Sequence, residues 1–287
     1  MRIHVRHDVQ ADVWSGEVFH HGLSAAKSRG DFWKLPSMIA DPTFYVLAIP
    51  AVIFAGVSKG GFGSGAAFAA APILALALEP AVALGVMLPL LMVMDVTALR
   101  AYWRQWSWRD VQRLSIGAVP GVALGVLVWQ AANADILRLL IGLVALGFVA
   151  FQLARSNGFI RIRPRPWPAP VGLFTGLAGG FTSFISHAGG PPVAVYLLSQ
   201  GLSKTVYQAT TVATFGIINL LKIGPYSAVG IINKDTLLAD LFLIPVAFLG
   251  TRLGVVAHRW LSERAFFAIT YVLLTLTGSK LIFDAVT

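Results

Sequence analysis

The chain predicts an all-α integral membrane protein made of two inverted repeats, each a broken or re-entrant helix pair followed by three transmembrane helices. Composition comes first. Hydrophobic residues make up 56% of 287 and charged residues 12%, with a mean hydropathy of +0.74, whereas a soluble domain carries about a quarter charged residues. Second, apolar segments follow one another at about 44–57, 65–78, 82–99, 111–130, 136–154, 170–186, 191–200, 206–222, 237–257 and 265–285. Third, residues recur. Gly56, Gly60 and Pro72 return 120 positions later as Gly176, Gly180 and Pro192; Asp95 and Tyr102 return 124 later as Asn219 and Tyr226; Gly121 and Gly125 return 129 later as Gly250 and Gly254. The growing offset needs only two small loop insertions, so an internal duplication is expected. It divides the chain into a polar extension (1–43), a first membrane repeat (44–154), a linker rich in arginine and proline (155–169) and a second repeat (170–287).

The extension holds five basic and five acidic residues and four of the six histidines, His4, His7, His20 and His21. Their spacing fits no firm ligand pattern, so a surface tail or short amphipathic helix is expected, with no metal and no cofactor. Met38 just precedes the first apolar segment and is an alternative start. The net charge of +9 does not suggest nucleic acid, because the arginines sit in short loops between apolar segments. Arg100, Arg104 and Arg109 occupy one loop; Arg155, Arg161, Arg163 and Arg165 the linker; Lys204 another; Arg259 and Arg264 a fourth. Placing that set in the cytoplasm satisfies the positive-inside rule and gives a multi-pass protein of the cytoplasmic (inner) membrane. Tyr102, Trp103, Trp106 and Trp108 among the arginines read as an interfacial belt.

Segment length shapes the two broken pairs. Fourteen residues at 44–57 reach about 21 Å, short of a hydrocarbon core of about 30 Å. The pairs 44–57/65–78 and 170–186/191–200 can therefore be re-entrant hairpins or kinked spans. In either case each pair begins and ends on one side, and three further crossings per half leave the halves oppositely oriented. Inverted repeats with broken helices are a recurring transporter plan, and broken backbone at that depth must be covered by protein or line a water-filled cavity.

The breaks carry the chemistry. The first reads Ala-Gly-Val-Ser-Lys-Gly-Gly-Phe-Gly-Ser-Gly around Lys59, and a lysine there costs roughly 2.5–3.5 kcal/mol on insertion scales. Lys59 is a candidate anion ligand, with Gly60, Gly61, Gly63 and Ser64 offering backbone N–H groups at the start of the next helix. Snorkelling of its stem along lipid is the plainer alternative. The second break reads Ser186-His187-Ala188-Gly189-Gly190-Pro191-Pro192. Pro191 and Pro192 suit a helix's first turn, which places Gly189 and Gly190 at a second cradle facing the first. His187 is either a ligand and proton carrier or a hydrogen-bonded core histidine.

Asn219 and Lys222 share one helix face and complete the candidate substrate-binding set, although Lys222 could equally cap its helix at the interface. Asp95 could couple protons, pair with Lys59, or be solvated near Arg100. Pro72, Pro191 and Pro192 are expected to be structural, as is Arg252, which would act as packing glue between Gly250 and Gly254. Membrane-depth charges then sum to Lys59, Lys222 and Arg252 against Asp95 and Asp240, a balance that favours an anion.

The Ser-Lys-Gly-Gly-Phe-Gly-Ser-Gly stretch followed by Ala-Pro-Ile-Leu resembles the TauE/SafE sulfite-exporter family. So do His-Ala-Gly-Gly-Pro-Pro with Tyr-Leu-Leu-Ser-Gln-Gly-Leu and then Ile-Asn-Leu-Leu-Lys-Ile. The match runs from about residue 44 to the C-terminus, in both repeats and in order; the 1–43 extension is not part of the family pattern. The resemblance implies a secondary carrier for sulfite, sulfonates, sulfoacetate or related organosulfur anions, with seven or more spans. The expected function is alternating-access transport of a small anion across the lipid bilayer, with proton coupling through Asp95 or His187, and a homodimer is compatible with the chain. The alternatives are a passive anion channel and a membrane-embedded hydrolase built on Ser58, Ser64, Ser186 and His187. The hydrolase lacks an orienting acid near His187, so no enzyme activity is expected. No Gly-x-x-x-x-Gly-Lys-Ser/Thr loop for ATP appears in the sequence.

Overall fold

The computed structural model describes residues 42–62, 67–160, 165–257 and 263–287, which are helices joined by short turns, with no strand among them. Residues 1–41, with the expected surface tail and the four N-terminal histidines, lie outside the described residues, as do Gly63 and Ser64. Helix α1 (Pro42–Val57) runs into a π-helical turn at Ser58–Phe62; a 3-10 turn at Ala67–Ala69 then leads into the short α2 (Ala70–Leu74). The others are α3 (Pro80–Ala101), α4 (Trp108–Ala131), α5 (Ala134–Ser156), α6 (Ala169–Ser186), α7 (Gly190–Ser199), α8 (Lys204–Ala228), α9 (Lys234–Ala257) and α10 (Glu263–Val286).

Seven of the described helical runs are long and apolar enough to cross a membrane, and α7 is a shorter apolar helix. Their outward faces are apolar too: Val46, Ile116, Phe174, Leu241 and Val272 are all more than half exposed, a pattern that lipid accommodates and water does not. The first run is longer than its sequence pattern suggests. It continues through the π turn to give the span Phe44–Gly61, 18 residues, or about 27 Å. The glycines do not end the helix because the widened turn keeps the backbone hydrogen-bonded. Helix α8 has 25 residues yet is outside the apolar set. Its Thr210, Thr211, Thr214, Asn219 and Lys222 are all buried, so its polarity faces protein.

Two helix pairs are held together backbone to backbone. Helix α1 lies along α9, and α6 lies along α4. A Cβ at Gly56 would fall 2.8 Å from the carbonyl carbon of Gly250, and one at Gly254 would fall 2.4 Å from Val57 O. In the other pair, Gly117 would meet Leu173 O at 2.0 Å and Gly180 would meet Ala118 O at 2.4 Å. Membrane helices approach this closely only through small residues. Both pairs run parallel, because contacts climb together along the two chains: Ile53 with Gly250 and Val57 with Gly254, Leu114 with Gly176 and Ala118 with Gly180. Helices α5 and α10 run antiparallel instead, with Gly142 against Ile282 and the ring of Phe148 against that of Tyr271.

Arg252 departs from its expected role. It is exposed, and its guanidinium lies 5.0 Å from the centre of the Phe248 ring on the same helix. Two positions from Gly250 or Gly254 is about 200° around a helix, so the face that packs on α1 belongs to the glycines and Thr251, and the arginine is turned away from it.

Helix α7 folds back along α6. Gly179 faces Val193, and Gly172 faces the ring of Tyr196, so the two form a hairpin with His187 at its tip. Val193, Tyr196 and Leu197 then seal against Leu114 and Ala118 of α4 and Phe215 and Ile218 of α8. The two breaks meet in a further cluster, where Ala69 and Ala188 pack with Phe148 of α5 and Leu274 of α10.

Candidate functional site

Between the breaks lies a buried ion network. Lys59 Nζ stands 2.8 Å from Asp95 Oδ1 in a buried ion pair. The other carboxylate oxygen of Asp95 accepts from Asn219 Nδ2 at 2.7 Å. One turn further along α8, Lys222 Nζ donates to Ser183 O at 3.1 Å, to Ser183 Oγ at 3.0 Å and toward His187 Nδ1 at 2.8 Å. An ammonium has three protons to give, and here each has an acceptor. On the far side of the His187 ring, Nε2 lies 3.1 Å from Leu84 O. A carbonyl can only accept, so Nε2 carries the proton and Nδ1 offers its lone pair to Lys222. The network therefore sets two lysine side chains beside one carboxylate, with Lys59 2% exposed, Asp95 4% and Lys222 0%.

The local backbone explains how these groups arrive together. His187 adopts a left-handed conformation, φ 56°, which ends α6 and turns the ring inward. A non-glycine residue there stores strain and marks a position held by its surroundings. Pro191 and Pro192 begin α7 within its first turn. At the first break, Lys59 O accepts from Gln208 Nε2 at 3.0 Å and Gly60 O accepts from the Tyr102 hydroxyl at 3.2 Å. At the second, Phe184 O accepts from the Tyr226 hydroxyl at 2.5 Å. Side chains of other helices thus satisfy carbonyls at both helix ends, as membrane depth demands. Tyr102 is accordingly set apart from its neighbours: Trp103 and Trp108 are 61% and 55% exposed, whereas Tyr102 is half-buried and pins the break.

The glycines at the breaks have packing reasons. A Cβ at Gly60 would lie 2.2 Å from Thr251 O, at Gly61 2.5 Å from Gly254 O, and at Gly189 2.6 Å from Gly179 O. Gly61 and Gly190 also line one cavity of about 240 Å³, together with Gln208, Lys204, Arg155 and Tyr207. Gln208 therefore links the wall of this basic-rimmed cavity, which touches both breaks, to the backbone of Lys59. The threonines upstream do not reach in: Thr210, Thr211 and Thr214 bond back to carbonyls one turn earlier on α8. Pro72 is buried in α2, and Asp240, also buried, makes no hydrogen bond to the network.

Several of these contributors were not among the sequence candidates. Ser183, Gln208, Tyr226 and the Leu84 carbonyl are new. Gln208, Asn219, Lys222 and Tyr226 are spaced by 11, 3 and 4 on one helical stripe, a signal that the sequence carried. The hydrolase gains nothing here. Gly56-Val57-Ser58-Lys59-Gly60 has the Gly-x-Ser-x-Gly spacing, but a nucleophile elbow needs a strand-to-helix turn, and Ser58 lies in a π-helical turn. Ser186 donates to Thr182 O.

Fold and site together define a multi-pass α-helical membrane protein with a buried, cation-rich centre. The profile of the family described as Sulfite exporter TauE/SafE matches residues 48–281. The chain belongs to the TauE/SafE sulfite exporter family, a family of membrane transporters. Among curated proteins and solved structures, none matches it.

Proposed function

We propose that the protein is a secondary transporter that carries a small anion (sulfite, a sulfonate or a related organosulfur compound) across the cytoplasmic membrane by alternating access. One observation carries this reading: two lysines, Lys59 and Lys222, are buried at one centre, where the carboxylate of Asp95 pairs with Lys59 and Lys222 is held only by neutral groups. A buried charge without a partner is costly, and an anion arriving from the basic-rimmed cavity balances the excess. In this scheme Lys59, Asn219, Lys222 and His187 contact the anion. Gly60, Gly61, Gly63, Ser64, Gly189 and Gly190 shape the two cradles, with Gly61 and Gly190 at the cavity wall. Asp95 and His187 are the proposed coupling groups. Protonating Nδ1 of His187 removes the lone pair facing Lys222, which frees that ammonium for substrate.

We read the membrane unit as an inverted duplication (44–154 and 170–287) joined by a cytoplasmic linker at 155–169. Three features support it. The parallel pair α1–α9 has its counterpart in α6–α4; the equivalent helices α5 and α10 run antiparallel; and the equivalent tyrosines Tyr102 and Tyr226 each donate to a carbonyl beside a break. Asp95 and Asn219, equivalent by position, meet each other near the proposed pseudo-axis.

Reconstitution in proteoliposomes tests the function. Uphill accumulation of sulfite or a sulfonate under an imposed pH gradient is expected. Flux that runs only downhill, whatever gradient is imposed, identifies the passive channel, and the absence of flux for every sulfur oxyanion would refute anion transport.

A further inference from the structure

Between α3 and α9, on the side away from the ion network, runs a lateral groove of about 640 Å³. Its walls are apolar, with Met92, Val93, Val96, Phe248 and Val255 among them, and its polar groups are Thr97 and the two guanidiniums of Arg100 and Arg252. No carboxylate lines it, and among the described residues none pairs with either arginine. Val96 is 61% exposed while its neighbour Asp95 is buried, so the groove opens to the bilayer and backs onto the opposite face of α3. Arg100 lies in the last turn of α3, at the basic end of the molecule.

We propose that this groove is a binding site for one anionic phospholipid. Its headgroup phosphate bridges Arg100 and Arg252, and an acyl chain lies along Val96 and Phe248. Charge complementarity selects the occupant. Each guanidinium, free of a carboxylate partner, presents the planar fork that a phosphate accepts in bidentate fashion, while walls this apolar suit a hydrocarbon chain and repel a hydrated anion. The basic end is expected to face the anionic cytoplasmic leaflet, where such sites between helices take acidic headgroups. The cation–π contact of Arg252 with Phe248 holds one guanidinium at the groove.

Native mass spectrometry of delipidated protein, titrated separately with phosphatidylglycerol and phosphatidylcholine, tests the site. Wild type is expected to prefer phosphatidylglycerol by roughly thirtyfold, since each of the two arginines favours a net-negative lipid over a zwitterionic one by about 1 kcal/mol, and Arg100→Gln/Arg252→Gln to lose that preference. If the double variant fails to fold, Arg252→Gln alone must show about a fivefold loss. Val96→Trp, which fills the groove and leaves the charges, is expected to weaken phosphatidylglycerol binding as well. Four results would overturn the proposal: no preference in wild type, a preference that survives loss of both arginines, wild-type binding by Val96→Trp, or displacement of the lipid by glycerol phosphate.

Discussion

Replacing Asp95 with asparagine removes the one carboxylate of the ion network while keeping the side chain's shape. Lys59 lies 2.8 Å from it. At an effective dielectric of about 20 that separation corresponds to roughly 6 kcal/mol of attraction. Breaking a buried pair by removing one partner costs about 3–5 kcal/mol, because the other charge is left unbalanced. For a membrane unit of this size, that converts to a fall in melting temperature of about 6–20 °C. The assay is thermal unfolding of detergent-purified protein without added anion. Lys59→Met/Asp95→Asn, which removes both charges, should recover at least half of the loss, since the stranded ammonium is the source of the penalty. A single-variant shift below about 2 °C, or a double variant no more stable than Asp95→Asn, would show that Lys59 is balanced by something other than Asp95.

Other perturbations test the remaining parts. Tyr102→Phe and Tyr226→Phe each leave a carbonyl near a break without its donor and should each cost about 1–3 kcal/mol by thermal unfolding. A methyl group at Gly60 would sit 2.2 Å from Thr251 O, and one at Gly176 would sit 2.3 Å from Leu114 O; each Gly→Ala change should abolish a monodisperse gel-filtration peak, since backbone cannot yield as a side chain end can. Gln208→Leu removes the link from the cavity wall to Lys59 O and should slow sulfite flux in proteoliposomes by about tenfold, with a stability loss of only about 1–2 kcal/mol.

Much of the fold was legible because membrane burial writes long apolar runs, and these became helices, except 65–78, whose described part is a 3-10 turn and the five-residue α2 followed by a turn. The matching of Asp95 with Asn219 by repeat position identified two residues that hydrogen-bond to each other. Less visible were the contributors whose type is unremarkable in a helix. Ser183 enters through its carbonyl and hydroxyl together, and Leu84 contributes only backbone; neither has a compositional signature. The packing role of the first-break glycines was not legible either, because the α9 backbone that presses against Gly60 and Gly61 lies in a distant segment. Arg252 was misplaced for a related reason: its glycine neighbours pack, and helical periodicity turns it the other way. A sequence shows which residues are unusual for their depth, but the partner that makes each one tolerable lies in a distant segment.

The central claim is that Lys59 and Lys222 hold the transported anion. It is tested most directly by thermal unfolding of wild type, Lys59→Met and Lys222→Met across a titration of sulfite, sulfate, thiosulfate, taurine and sulfoacetate. At about a hundredfold excess over the dissociation constant, a bound anion should stabilise wild type by about 2.7 kcal/mol, and neither variant should respond. A variant stabilised by the same anion to the same degree as wild type would contradict the account and place the binding site elsewhere.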